Sequence, residues 1–154
     1  MRMESGIVTK KSAISLHGVF PPITTPFDAR GDVAYAQLME NLQRWNAYDL
    51  AGYVVLGSNG ESVYLTESEK LRVLETARQV IPSGKLLIAG TGCESTRETI
   101  ALTQEAARLG ADAALLVTPH YYSAKMTADS LVRHYQAVAE AVPILPTTIP
   151  AAAL

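Results

Sequence analysis

The chain has 154 residues, 48% hydrophobic and 18% charged, with 13 Lys and Arg against 15 Asp and Glu for a formal net charge of -2. That apolar content and small charge exclude a disordered polyanion, and without a basic excess there is little to neutralise phosphates, so no nucleic-acid partner is expected. Cys93 stands alone, which excludes an internal disulfide framework, and every apolar run breaks well short of the ~20 residues of a membrane span. The composition describes one intracellular globular domain, expected in the cytoplasm or, in a eukaryotic source, the mitochondrial matrix. Its length lets it bury roughly two-thirds of its unfolded surface.

Residues 1–17 form a mixed polar leader. The apolar stretch after Lys10 and Lys11 is too short for a signal-peptide core of ~7–15 residues. Residues 18–154 form the domain. Val19 to Ile23 reads as a short strand. A helix is expected from Val33 to Tyr48, with Asp32 as N-cap and Tyr35, Leu38, Leu42 and Trp45 as its inward stripe. Tyr53 to Leu56 is a continuous apolar run, the pattern of a strand buried on both faces. Thr66 and Glu69 make a capping box that opens a second helix with Leu71, Leu74 and Ile81 inward. Leu86 to Ala89 is the third strand. Ser95 and Glu98 suggest another capping box, for a helix that stops at Gly110. Ala113 to Val117 is the fourth strand, and a helix from Thr127 to Ala141 turns Leu131, Tyr135 and Val138 inward. Ile144 and Leu145 begin a fifth strand that Pro146 should compromise.

The order βαβαβαβαβ, repeating every 30 residues or so, means a parallel sheet with right-handed crossovers. Two architectures fit: an open doubly wound sheet, or part of a (β/α)8 TIM barrel, which in full takes roughly 250 residues. Length alone favours the open sheet.

In either architecture, function sits at the carboxyl ends of the strands. After the second strand, Gly57-Ser58-Asn59-Gly60-Glu61 offers backbone N–H groups and short polar side chains suited to a carboxylate, although the same residues also make ordinary turns. After the third, Gly90-Thr91-Gly92-Cys93-Glu94-Ser95-Thr96 reads as a tight turn into a helix cap. It lacks the P-loop and Rossmann patterns. Cys93 reads as a small buried residue, not as a nucleophile. After the fourth come Thr118-Pro119-His120-Tyr121-Tyr122, whose tyrosines could relay protons or pack against a neighbour. His17, His120 and His134 are too scattered for a metal site, and no metal or cofactor is expected.

Taken in order, these three loops, with the opening Pro22-Ile23-Thr24-Thr25-Pro26-Phe27, resemble the dihydrodipicolinate synthase/N-acetylneuraminate lyase family. The Ser-Asn variant and Gly92-Cys93-Glu94-Ser95-Thr96 are most similar to its 4-hydroxy-2-oxoglutarate aldolase branch. The resemblance runs from His17 to Pro150. It implies a TIM barrel and class I aldolase chemistry on pyruvate-type 2-oxo acids, such as cleavage of 4-hydroxy-2-oxoglutarate or synthesis of dihydrodipicolinate. A lysine forms a Schiff base with the keto carbon, and the imine acts as the electron sink. By resemblance, Ser58 and Asn59 hold the carboxylate of the 2-oxo acid and Ser58 joins a proton relay. Tyr122 is the relay tyrosine that enters the neighbouring subunit's site, and Glu61 supports the loop.

Two features depart from the family. Thr147 stands where the family carries a relay tyrosine at the end of strand five. The family's Schiff-base lysine lies on a sixth strand, which these residues do not reach. Lys10 and Lys11 fall in the leader, Lys70 on a helix and Lys85 at the wrong end, which leaves Lys125 as the one lysine expected on the catalytic side. The chain therefore reads as a truncated half-barrel, four βα units and a degraded fifth strand, and as inactive alone. With strand edges and an inner face exposed, it is expected to form a homo-oligomer or to dock on a full-length subunit. The alternative function is a non-catalytic half-barrel that associates with a full-length paralogue.

Overall fold

A computed structural model describes residues 14–149. The leader falls mostly outside this range. Within it, α1 spans Tyr35–Trp45, β1 Gly52–Val55, α2 Glu67–Val80, β2 Leu86–Gly90, α3 Thr96–Arg108, β3 Ala113–Val117, α4 Ala128–Ala141 and β4 Leu145–Ile149. The four strands form one parallel sheet in the order β1-β2-β3-β4. A doubly wound sheet reverses its strand order part-way, whereas a barrel adds each strand beside the last. The sequential order therefore decides for part of a barrel, against the preference from length.

The segment 19–23 runs beside β1 as the next position of the sheet. Val54 N–H donates to Pro21 O at 3.0 Å, Ile23 N–H to Val54 O at 3.0 Å and Ala51 N–H to Val19 O at 3.1 Å. The pairing reduces to a single parallel bridge, Pro22 to Val54, because two successive prolines donate no ladder hydrogen bonds. At the other edge, β4 forms despite Pro146 and stays in register with β3 from Ala113–Leu145 to Val117–Ile149. An edge strand tolerates proline because one side of it needs no partner.

Most helix ends are where local chemistry puts them. Thr66 and Glu69 form the full reciprocal capping box. Hydrogen bonding to Thr66 holds the Glu69 carboxyl below its ordinary range. Ser95 accepts from Glu98 N–H at 3.1 Å without the return bond, so that cap is half a box. Helix α3 ends in a Schellman arrangement. Gly110 takes φ +92°, and Ala111 N–H and Gly110 N–H reach back to Ala106 O and Ala107 O. The N-cap expectation for Asp32 is wrong. Helix α1 starts later, at Tyr35, with Ala34 as its uncapped N-cap. Asp32 instead closes a turn with Asp28, its N–H donating to Asp28 Oδ1 at 3.0 Å.

Tyr53, Val55, Leu87, Ala89, Ala114 and Leu116 point from the sheet into the helical layer, where Leu38, Leu42, Val73, Leu74, Ala77, Ala106 and Val138 meet them. Leu71 is only half-buried. The opposite face of the sheet carries Val54, Leu115 and Val117, which line an open groove, and Leu145, 40% exposed. The second buried face expected of these apolar runs is therefore only partly covered.

One buried titratable group lies between α3 and α4. His134 Nδ1 bonds Thr96 Oγ1 at 2.9 Å, while its Nε2 is buried without a partner among the described residues. Burial lowers its pKa from the ordinary 6.5, so folding favours the neutral ring. That stability is present above about pH 6.5, the unfolded value, and is lost as pH falls through the lower folded value. The melting temperature should fall between pH 7.5 and 5.5. A His134→Gln variant should show a flatter pH dependence in the same thermal melts.

Candidate functional site

The groove at the carboxyl ends of the strands encloses about 490 Å³. Phe20, Val54, Leu56, Leu115 and Val117 form its apolar wall, and Ser58, Asn59, Ser62, Lys70 and His120 supply its polar groups. This combination of apolar lining and a few convergent polar groups is what small-ligand sites share.

The loop that carries Ser58 and Asn59 is aimed by an unusual backbone. Leu56 has φ +63°, in the left-handed region that bulky residues avoid. The turn swings the Leu56 carbonyl onto Gly90 of the neighbouring strand, where a Cβ would lie 2.6 Å from the Leu56 carbonyl carbon. Two short 3-10 turns follow, Ser58–Gly60 and Ser62–Tyr64, joined by Glu61 at φ +53°. Glu61 supports the loop through its backbone, donating to Ser58 O and accepting from Tyr64 N–H, both at 3.0 Å. Thr25 ties the loop down from the first segment, its buried hydroxyl donating to Gly60 O at 2.7 Å. Among the described residues, neither Ser58 Oγ nor the Asn59 amide is committed to a hydrogen bond, and both residues are exposed. They are free to meet a ligand.

A second positioning residue is Glu94, which sequence reading passed over. Its carboxylate accepts from the N–H groups of His120 at 3.1 Å and Tyr121 at 3.0 Å, and pairs with His120 Nδ1 at 3.2 Å. It therefore fixes the loop after β3 to the loop after β2. The loop's tyrosines stand at the rim, Tyr121 75% and Tyr122 69% exposed, in edge-to-face contact at 4.9 Å. Neither lines the groove, and the geometry does not separate Tyr122 from Tyr121. Val63 at 81% and Tyr64 at 79% exposed add to this apolar rim.

Thr147 sits in β4 beside Leu115. Its neighbour Thr148 points the other way, into a hydroxyl chain in which Tyr135 bridges Thr118 at 3.0 Å and Thr148 at 2.9 Å. Cys93 is half-buried, its thiol pushed up in pKa mainly by burial. The lysines need a correction. Lys125 is exposed in a short 3-10 turn, outside the groove wall, whereas Lys70 on α2 lines the groove. Lys70 stands in the first turn of α2, which follows the loop at the carboxyl end of β1. Lys85 is at the opposite end, its ammonium donating to Asn46 O and Tyr48 O at 3.1 and 2.6 Å. Among the described residues, no three His, Cys, Asp or Glu cluster closely enough for a metal ion, and no helix is long and apolar enough to cross a membrane.

A sequence model of the Dihydrodipicolinate synthetase family matches residues 15–150. The chain belongs to this family. It is 42% identical over 128 residues to the 4-hydroxy-tetrahydrodipicolinate synthase of Thermosynechococcus vestitus, covering 83% of this chain and 43% of that protein. The solved dihydrodipicolinate synthase of Acinetobacter baumannii, complexed with pyruvate, superposes with a TM-score of 0.80 at 38% identity, over 87% of this chain and 45% of that one. N-acetylneuraminate lyase from Mycoplasma synoviae follows at 0.76 and 26% identity, over 85% and 45%. The chain thus spans less than half the length of the relatives it matches. In family terms, the sheet is part of a TIM barrel and the groove lies on the face where barrels carry their active sites.

Proposed function

We propose that these residues form the carboxylate-binding half of a class I aldolase site for pyruvate-type 2-oxo acids. The observation that carries this reading is the pair Ser58 and Asn59, uncommitted and exposed at the end of β1 beside an apolar groove. A relative 38% identical over the matched region has been solved with pyruvate. Ser58 and Asn59 hold the oxo-acid carboxylate by hydrogen bonds, and the Ser58 hydroxyl also passes a proton. Tyr122 joins the relay from the rim of a neighbouring subunit, with Tyr121 beside it as the control. The Ser-Asn loop favours cleavage of 4-hydroxy-2-oxoglutarate, whereas the named relatives favour dihydrodipicolinate synthesis. Both make or break a C–C bond next to a 2-oxo acid.

The imine step needs an amine positioned at the keto carbon. Condensation joins the lysine nitrogen to that carbon and releases the keto oxygen as water, and the resulting iminium takes up the electron pair of the breaking C–C bond. The described residues carry no sixth strand to supply that lysine, and Thr147 is a shorter and much weaker acid than a phenol. By themselves they bind and do not turn over. In a pyruvate titration followed by NMR, Ser58→Ala and Asn59→Ala should each weaken binding about fivefold, the loss of one charge-assisted hydrogen bond. Unchanged affinity in both would refute the site.

A second reading draws on the exposed rim of Val63, Tyr64, Tyr121 and Tyr122 and on the half-covered inner face. Here the chain is a non-catalytic half-barrel that associates with itself or with a full-length paralogue. Activity gained only on mixing with such a paralogue would distinguish it.

A further inference from the structure

The loop after β3 brings a different chemistry to the groove. Of the residues that line it, only Lys70 and His120 titrate, and no Asp, Glu, Cys or Tyr is among them. An ammonium offers hydrogens and no lone pair, whereas an imidazole takes a proton and returns it near neutral pH. His120 is also oriented. Its Nδ1 lies 3.2 Å from Glu94 Oε1 and 3.3 Å from Thr118 O. Both are acceptors, so the ring hydrogen belongs on Nδ1 and the lone pair of the neutral ring is left on Nε2. Among the described residues Nε2 has no hydrogen-bond partner. Glu94 is itself held, because its carboxylate also accepts from the backbone N–H groups of His120 at 3.1 Å and Tyr121 at 3.0 Å. A carboxylate that fixes the tautomer of an imidazole, with the other ring nitrogen open, is the arrangement that makes histidine a general base.

We propose that His120 is a general acid–base residue of this groove, with Glu94 as its positioning residue: Nε2 takes a proton from the carbon next to the keto group of a bound 2-oxo acid and gives one back. The inference rests on the 2-oxo-acid reading and adds a proton-transfer group to it. Thr147, in register with the groove-lining Leu115, brings only an aliphatic hydroxyl to that task. In the transfer the C–H bond breaks, its electron pair forms the C=C bond of an enolate, and the π pair of the keto group moves onto oxygen. The proton goes to Nε2, and a proton returned from Nε2 to carbon restores the keto acid. No C–C bond is made or broken, and no imine is needed.

The test follows the methyl signal of pyruvate in D2O by NMR in the presence of the 154-residue chain. Replacement of the methyl hydrogens by deuterium reads the transfer directly, and rates are compared at equal pyruvate occupancy after subtraction of the protein-free rate. The wild type should exchange about a hundredfold faster than His120→Gln, the lower end of what a positioned general base contributes. Glu94→Gln should slow exchange about tenfold, because its amide can donate to Nδ1 and release the ring hydrogen to Nε2. Nitrogen-15 spectra of the imidazole should show the Nδ1–H tautomer in the wild type and lose that preference in Glu94→Gln, a change that a merely structural Glu94 would not produce. If pyruvate binds and His120→Gln exchanges as fast as the wild type, the proposal is overturned and the 2-oxo-acid site stands. An Nε2–H tautomer in the wild type also overturns it. If the wild type does not bind pyruvate, the 2-oxo-acid reading fails and the proposal fails with it.

Discussion

Gly90→Ala should destabilise the protein by about 3 kcal/mol or more, the upper range for overpacking, and should abolish ligand binding. The added methyl carbon would lie 2.6 Å from the Leu56 carbonyl carbon and 3.1 Å from Gly57 N. These are backbone atoms, so no side chain can swing away to make room. Leu56 cannot relax cheaply either, because its left-handed conformation is fixed between β1 and the Ser58–Gly60 turn. Nor can β2 slide, because it is hydrogen-bonded to β1 on one side and β3 on the other. A shift of either backbone re-aims Ser58 and Asn59, which ties the stability loss to the site. Gly84→Ala is the matched control. Its Cβ would meet nothing within 4 Å, so its effect should stay within about 0.5 kcal/mol. Urea unfolding of the three proteins checks both numbers. Equal stabilities of Gly90→Ala and wild type would mean that the close approach of Leu56 to Gly90 is misplaced.

The parts of this fold that were legible in the sequence are those encoded locally. Thr66 with Glu69 and Gly110 mark helix ends because each satisfies orphaned backbone groups within a few residues. The apolar runs at 53–56, 86–89 and 113–117 mark strands because one face packs on the helices and the other lines the apolar groove. Where local signals competed, the reading slipped. Asp32 carries a capping side chain, but the turn with Asp28 and the bridge between Phe27 and Val33 claim it first. Pro146 looked like a strand breaker and is tolerated at an edge.

The site was half legible. Ser58 and Asn59 stand out in sequence as the loop after a buried strand, and both line the groove. What aims them does not show in sequence. No pattern marks Leu56 as left-handed, and only the close approach of Gly90 explains why that is tolerated. Glu94 and Thr25 act across the gap between loops, over separations that periodicity cannot register. Lys70 was set aside because it is helical, yet it lines the groove from the first turn of α2.

The second large effect is all-or-none. On the proposed reading, the 154 residues should form no covalent imine with pyruvate, because none of the lysines among the described residues is placed to supply the amine. Lys85 is held by Asn46 O and Tyr48 O at the far end of the sheet, Lys125 is exposed outside the groove wall, and Lys70 stands on the first turn of α2, shared between the groove and the cleft toward α3. The measurement is the intact mass of the chain after incubation with pyruvate and borohydride, which reduces any imine to a stable amine. It is made on protein shown by NMR to bind pyruvate. The unmodified mass is the predicted result. A single reduced pyruvate adduct on the 154-residue chain, mapped by peptide analysis to one lysine, would show a complete class I site and contradict the account.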